Sequence, residues 1–563
     1  MKNKAIILYC VLSLGIILFT YFNLFFTFYQ QDEWIAVGYA MENGIDFLLK
    51  YPLLNIIAGS GRILGTSISI LFLKYFPFQI WPFALFSILL HFANTLLVFF
   101  IAHKVSKKSF IAALSGLFFA VSSVSDQAVI WAGAITNVLP ASFFIFASLL
   151  LYLLYFEKKK KLLLFFSFLS AITAYYFRES AAFLFMLLPF LFFLLSREKR
   201  INVEKIKDMI LLHFPLISFL VFVFIMRILS LQGKVFSGHF VTNNAFVKER
   251  LLSHLLLYPI NALSQMFVHP GQMFSWASYF EKIYYPYVTI MVPSPAVYEF
   301  VVSDLLSFTF SLLILFIVFL LYKEFRQYRM TIIFATTFIV FSFIPYAILD
   351  KPSGYLESRY YYTSIMGTGI LFAILGDALR SYLSKYSKLK KIASLVVVFL
   401  VIIYLHHQYT WIQKDITLQV ALGNERKNFL VSVKRLLPHP NEKTILYFTG
   451  SQDFYTADNK VPFQLGPGYI LMTWYYDTGR VPSRFIREEF LSHLFAQGYE
   501  EENGKGFGYY RDFEKLRQDT EKYQFHQTDI HAFYYDANEK ELRNISEKVR
   551  ADLNASRSAE FIR

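Results

Sequence analysis

The sequence predicts an α-helical polytopic membrane protein of about eleven spans, followed by a small α/β domain. Three observations lead there. The 563 residues are 56% hydrophobic and 19% aromatic but only 17% charged, whereas a water-soluble chain of this length divides into several domains and carries more charge. The apolar residues gather in runs long enough to cross about 30 Å of hydrocarbon as helices. After His406 and His407 those runs stop, and a soluble composition continues to Arg563.

The runs lie near 5–27, 80–102, 110–125, 138–156, 162–177, 180–196, 208–230, 299–322, 330–349, 362–379 and 392–406. The first follows Lys2 and Lys4 but is long for a signal peptide and has no small-residue cleavage site, so it reads as a retained anchor. Direction follows from the basic residues, which collect on the untranslocated side. With the amino terminus cytoplasmic, the inner segments total 46 residues and hold 22 Lys/Arg, while the outer ones total 146 and hold 10. This orientation puts the long loops 28–79 and 231–298 and the carboxy-terminal region on the extracytoplasmic side. Within those loops, 53–76 and 251–280 read as helices lying along the interface. Short loops and no retention signal favour a bacterial plasma membrane.

The predicted domains are 1–406, the membrane part, and 407–563, soluble and extracytoplasmic. In the latter, 416–437 and 487–499 read as helices, 444–448, 469–476, 506–511 and 530–535 as strands, and 537–553 as a last helix. The net charge of +14 does not indicate nucleic acid, because residues 407–563 are balanced at 21 Lys/Arg against 22 Asp/Glu; the excess belongs to the membrane part. The single cysteine, Cys10, supports neither a disulfide framework nor a cysteine metal site. His103, His239, His254 and His269 are scattered, so no metal is required, though a divalent ion is left open.

Ionisable groups at a bilayer are costly and tend to be functional. Four clusters fall at the outer ends of spans: Asp32-Glu33-Trp34, Ser125-Asp126-Gln127 with Trp131, Arg178-Glu179-Ser180, and Glu357-Ser358-Arg359-Tyr360-Tyr361-Tyr362. Each alone reads equally well as a turn, a helix cap or an aromatic belt. Together with Arg62 they put carboxylates and guanidinium groups on one face of the membrane. Arginine matches phosphate bidentately, and a carboxylate at the surface can act as a general base. This chemistry suits transfer from a lipid phosphate.

In that order and topology the motifs resemble the C-type integral-membrane glycosyltransferases (the GT-C fold), the group that includes protein O-mannosyltransferases and bacterial enzymes using polyprenyl-phosphate sugars. The likeness covers roughly 1–400. It rests on Asp32-Glu33, the loop with Arg62, His91-Phe92-Ala93-Asn94-Thr95-Leu96-Leu97, Asp126-Gln127-Ala128-Val129-Ile130-Trp131, Arg178-Glu179-Ser180 and Glu357–Tyr362. It implies an inverting transfer with Asp32 as base and Glu33 as its neighbour, the two roles being exchangeable. Arg359, with Arg178 or Arg62, would hold the phosphate, and Asp126, Glu179, Glu357 and Tyr360 would complete the substrate site. The implied partners are a polyprenyl-phosphate-linked sugar, an acceptor glycan, lipid or protein, and membrane lipids, with no nucleotide or other cofactor.

The sequence departs from the family in two places: Arg62 is followed by Ile63 where relatives often have proline, and Arg178 stands where lysine is usual. Two other functions fit less well. A polymerase or ligase for lipid-linked polysaccharide would share the outer arginines. A flippase or transporter would need polar or broken helices at the midplane, and the span interiors are nearly all apolar.

Overall fold

The computed structural model describes residues 3–30, 33–43, 46, 62–196, 202–230, 244–288, 294–348, 356–385, 392–451, 462–463, 467–482 and 497–560. The chain divides into two compact units. One comprises Met1–Phe22, Tyr51–Thr66 and Ala84–Asp415; the other comprises Asn23–Lys50, Ser67–Phe83 and Ile416–Arg563.

The first unit is helical. Every predicted span falls on a helix, but among the described residues only seven helices are long and apolar enough to cross a membrane. Ser109–Ala120 and Ser123–Ile130 pass that test only as a pair, bent by 54°. Lys161–Phe177 and Glu179–Leu195 are short apolar helices; at 1.5 Å per residue each reaches about 25 Å. Ile365–Leu383, which carries Asp377 and Arg380, is not among the seven. The count of eleven spans is therefore not confirmed. Leu305, Phe316 and Leu395 are exposed on their helices, an arrangement suited to lipid and costly in water. Of the two stretches expected at the interface, 53–61 lie outside the described residues; Ile63–Tyr75 is a helix in the first, and Asn244–Gln265 and Pro270–Val288 are helices across the second.

Several buried and half-buried polar side chains bond to one another between these helices. Lys108 Nζ lies 2.8 Å from Asp377 Oδ2, which also accepts the Tyr328 hydroxyl at 2.7 Å. Gln408 Oε1 accepts from the Ser123 amide and hydroxyl, and the Tyr21 and Ser125 hydroxyls lie 2.9 Å apart. In a low dielectric an unmet donor or acceptor costs more than a bond gains, so these groups fix which helix faces meet. Gly65 marks one close approach, since a Cβ there would strike the Asn137 side chain.

The second unit contains a five-stranded sheet: β1 (Lys443–Gly450), β2 (Gly498–Glu502), β3 (Lys505–Tyr510), β4 (Ile530–Asp536) and β5 (Glu541–Asn544), in the order β2-β3-β1-β4-β5. β1 runs parallel to β3 and β4, and the edge strands are antiparallel to their neighbours. The pleat sends alternate residues to opposite faces. Ile445 and Tyr447 pack with Leu516, Val549 and Leu553 of the helices Phe513–Tyr523 and Ser546–Glu560. On the other face Phe448 stacks on Phe533 and meets Phe429 of the long helix Ala393–Leu436.

Two expectations for this region are corrected. Residues 469–476 are not a strand: Gly468–Trp474 is a helix and Tyr476–Thr478 a 3₁₀ turn. Tyr469 through Thr473 are buried on every side, and an unbroken apolar run carries no period to separate helix from strand. The last helix spans Ser546–Glu560, not 537–553, because Glu541–Asn544 pairs with β4 first. Of the predicted helix 487–499, only 497–499 lie within the described residues, and there Gly498–Tyr499 open β2.

Candidate active site: arginines around an aromatic core

The Arg178-Glu179 turn breaks the apolar helices Lys161–Phe177 and Leu184–Leu195. Arg178 has an extended backbone and closes the first helix by donating its amide to Ala174. Its side chain is buried, 5% exposed. Its guanidinium carbon lies 5.1 Å from the Tyr360 ring and 5.9 Å from the Tyr346 ring, and Nη1 donates to the Arg359 carbonyl at 3.4 Å. Among the described residues no carboxylate pairs with Arg178. Burial pushes its guanidinium below the ordinary value, and the Arg62 and Arg359 charges push the same way, against opposing contributions from Tyr346 and Tyr360.

Glu179 turns instead to Arg62, whose Nε lies 3.2 Å from its Oε2. Arg62 adopts a left-handed backbone with φ of 51°, uncommon for a residue with a Cβ and often found at functional sites.

Arg359 lies on the 3₁₀ turn Ser358–Tyr360. It sits over the Trp131 ring at 4.7 Å and the Tyr360 ring at 5.1 Å. Nη1 reaches Gln127 Oε1 at 3.5 Å, and Nη2 lies 3.9 Å from Glu357 Oε2. Arg178 and Arg359 thus share Tyr360, each within cation–π range.

The His91 and Asn94 motif explains how this turn is held. His91 Nε2 donates to the Ala120 carbonyl at 3.0 Å, which leaves Nδ1 to accept the Tyr362 hydroxyl at 2.8 Å. Asn94 donates to the Tyr362 oxygen at 3.1 Å and to the Leu139 carbonyl. Tyr361 donates to Gln265. Two consecutive tyrosines are therefore locked from different helices, and the residues just before them, Arg359 and Tyr360, are displayed in a fixed geometry. His91 and Asn94 act as positioning residues.

Asp126 opens the short helix Asp126–Ile130, where its Oδ1 accepts the Gln127 amide at 2.6 Å. It is not alone: a His269 nitrogen and an Asp415 carboxylate oxygen lie with its own within 4.8 Å of one another. In sequence the histidines are scattered and Asp415 falls between the last predicted span and the predicted helix 416–437, so neither signals a site. Only the fold joins them.

The first carboxylate cluster belongs to the second unit. Asp32 lies outside the described residues. Glu33 begins the helix Glu33–Asn43 and is buried, 5% exposed, with its charge acting on Tyr29. Its neighbour Trp34 packs edge-on against Tyr29 and Phe28, at 5.6 and 5.8 Å, and Gly38 on the same helix lies so close to Tyr469 that a Cβ would strike the ring.

No family model matches the chain, and no curated protein sequence matches it. Among solved structures it is similar to that of ArnT from Cupriavidus metallidurans bound to undecaprenyl phosphate, with 11% identity over 85% of this chain and 90% of that one and a TM-score of 0.41. So distant a likeness carries no argument about what this chain does.

Proposed function

We propose that this chain is a membrane glycosyltransferase of the GT-C type that moves a sugar from a polyprenyl-phosphate carrier to a hydroxyl acceptor on the extracytoplasmic face. The observation that carries the reading is Arg178: a buried guanidinium with no carboxylate partner among the described residues, flanked by Arg62 and Arg359. Surplus positive charge in a dry setting is costly, and a phosphate repays that cost when it binds.

In this mechanism Asp32, or Glu33 in its place, takes the proton from the acceptor hydroxyl. The freed oxygen attacks the anomeric carbon from the face opposite the phosphate, so configuration inverts. The bond from that carbon to the phosphate oxygen breaks, and its electron pair stays on the oxygen. Arg359 and Arg178 stabilise the charge that grows there, the transition-state role worth most in such sites. Arg62, held by Glu179, supports the same anion. Tyr360 and Trp131 offer ring faces to the guanidiniums and to a sugar. The amino terminus is cytoplasmic and the membrane is a bacterial plasma membrane in this reading.

Mass spectrometry of envelope glycans and glycoproteins tests it, in cells carrying wild type, Asp32→Asn or Arg359→Ala. Both variants are expected to insert normally and lose one specific sugar. Unchanged glycans in Asp32→Asn remove Asp32 from the chemistry, and unchanged glycans in both sink the proposal.

A further inference from the structure

The cluster of Asp126, His269 and Asp415 contains no arginine or lysine and is a different kind of site from the arginine cluster. Its members come from three distant segments: the start of a five-residue helix, the turn between Asn244–Gln265 and Pro270–Val288, and the long helix Ala393–Leu436. Each offers one ligand atom, and the three atoms lie within 4.8 Å of one another.

We propose that these three side chains bind a divalent first-row transition ion, Zn²⁺ or Mn²⁺. His269 Nε2 lies 3.8 Å from Asp415 Oδ2. That is too long for a hydrogen bond but suits two ligands of one ion, since metal–ligand bonds of about 2.0–2.2 Å place neighbouring ligands roughly 3–4 Å apart. Asp415 Oδ2 is buried and has no hydrogen-bond partner. Among the described residues no lysine or arginine forms an ion pair with Asp126 or Asp415; the Lys414 charge acts on Asp415 from nearby, and the two carboxyl groups stand close enough to share a proton, which a bound ion would displace.

The imidazole is already oriented. Its ring stacks on Trp411 with centroids 4.8 Å apart and planes 20° from parallel. Nδ1 accepts the Gly271 amide at 3.1 Å, which turns Nε2 toward the carboxylates. Ligation through Nε2 moves the ring proton to Nδ1 and gives up the Gly271 bond, so the affinity falls below that of a closed structural zinc site.

The donor set selects the ion. Ca²⁺ and Mg²⁺ favour all-oxygen shells, and sulfur-seeking ions find no thiolate here. Two carboxylates and one imidazole suit the borderline ions between. Bound there, the ion would pin Asp126 and, through the adjoining Gln127, the partner of Arg359 Nη1. The inference stands apart from the sugar-transfer reading, because its test reads binding.

The full chain is purified in detergent, stripped with a chelator and titrated with Zn²⁺, Mn²⁺ and Mg²⁺. Bound metal is counted by plasma mass spectrometry and tryptophan fluorescence is followed. One equivalent of Zn²⁺ or Mn²⁺ is expected, with a fluorescence change that Trp411→Phe removes while the metal count stays. Asp415→Asn and His269→Gln should each weaken binding at least about tenfold, whereas the exposed His439→Gln should not. Failure to take up an equivalent overturns the proposal, and so does wild-type affinity in Asp415→Asn, an isosteric change that keeps the helix intact.

Discussion

Two charge clusters in the first unit each hold one buried charged side chain, Asp377 in one and Arg178 in the other, and differ in how that charge is met. At Lys108 the cation meets the Asp377 carboxylate at 2.8 Å, and Tyr328 donates a second bond to the same oxygen; the cluster neutralises itself. At Arg178 a guanidinium is more deeply buried yet faces aromatic rings and a carbonyl. A self-satisfied pair holds helices together and needs no visitor. A surplus charge held by its surroundings costs stability and suits a site that receives an anion.

The sharpest way to break this contrast is to unpair the first cluster. Lys108→Met strands the Asp377 carboxylate, whose side chain is 5% exposed, and should cost about 3 kcal/mol. Thermal unfolding in detergent measures the loss, while transfer per folded molecule should stay near wild type. Adding Asp377→Asn should recover most of the stability.

Arg178→Met should do the reverse. Transfer is expected to fall by about 100- to 1,000-fold, the scale for losing one group that stabilises developing negative charge, with stability unchanged or slightly raised. A melting point that drops as far as in Lys108→Met would show that the two clusters do the same job.

Tyr362→Phe falls between the two. It takes a donor from His91 and an acceptor from Asn94, so about 1–2 kcal/mol of stability should go. Transfer should also fall, because the turn carrying Arg359 loosens. A double-mutant cycle with His91→Phe should give a coupling clearly different from zero; additive effects would dissolve the link.

The smallest effect belongs to the second unit, where a charge is suppressed altogether. Burial, helped by Arg550, pushes His531 from 6.5 down to about 4. The unfolded chain therefore binds this proton more readily between those values. The stability contribution is full above pH 6.5 and is lost as pH falls toward 4. The ceiling is about 3 kcal/mol, cut to about 1 by water at the half-buried ring. Amide exchange of β4 followed from pH 7 to 4.5 measures it, and His531→Phe should flatten the profile.

Much of the architecture is legible in the chain because hydrocarbon imposes a coarse rule, a run of about twenty apolar residues. Every predicted span falls on a helix for that reason. The rule says less about Lys161–Phe177 and Glu179–Leu195, which are short, and nothing about the bend after Ala120. It also fails at 469–476, where burial on all sides erases any period. Within the site, Arg178, Glu179 and Arg359 are recognisable because charge beside a span is costly and rare. His269 and Asp415 are not, since one ends a turn and the other sits in a long helix.

What the sequence alone determined is the helical, membrane-suited body with its terminal α/β region, and which charged residues stand out against the apolar runs; these follow from transfer free energies summed along the chain, which need no knowledge of neighbours. Only the tertiary structure decided that Arg178 and Arg359 share one tyrosine, that Glu179 answers Arg62, and that His269 and Asp415 join Asp126. Those pairings depend on distances of a few ångströms between segments more than a hundred residues apart, and side-chain chemistry acts at that range.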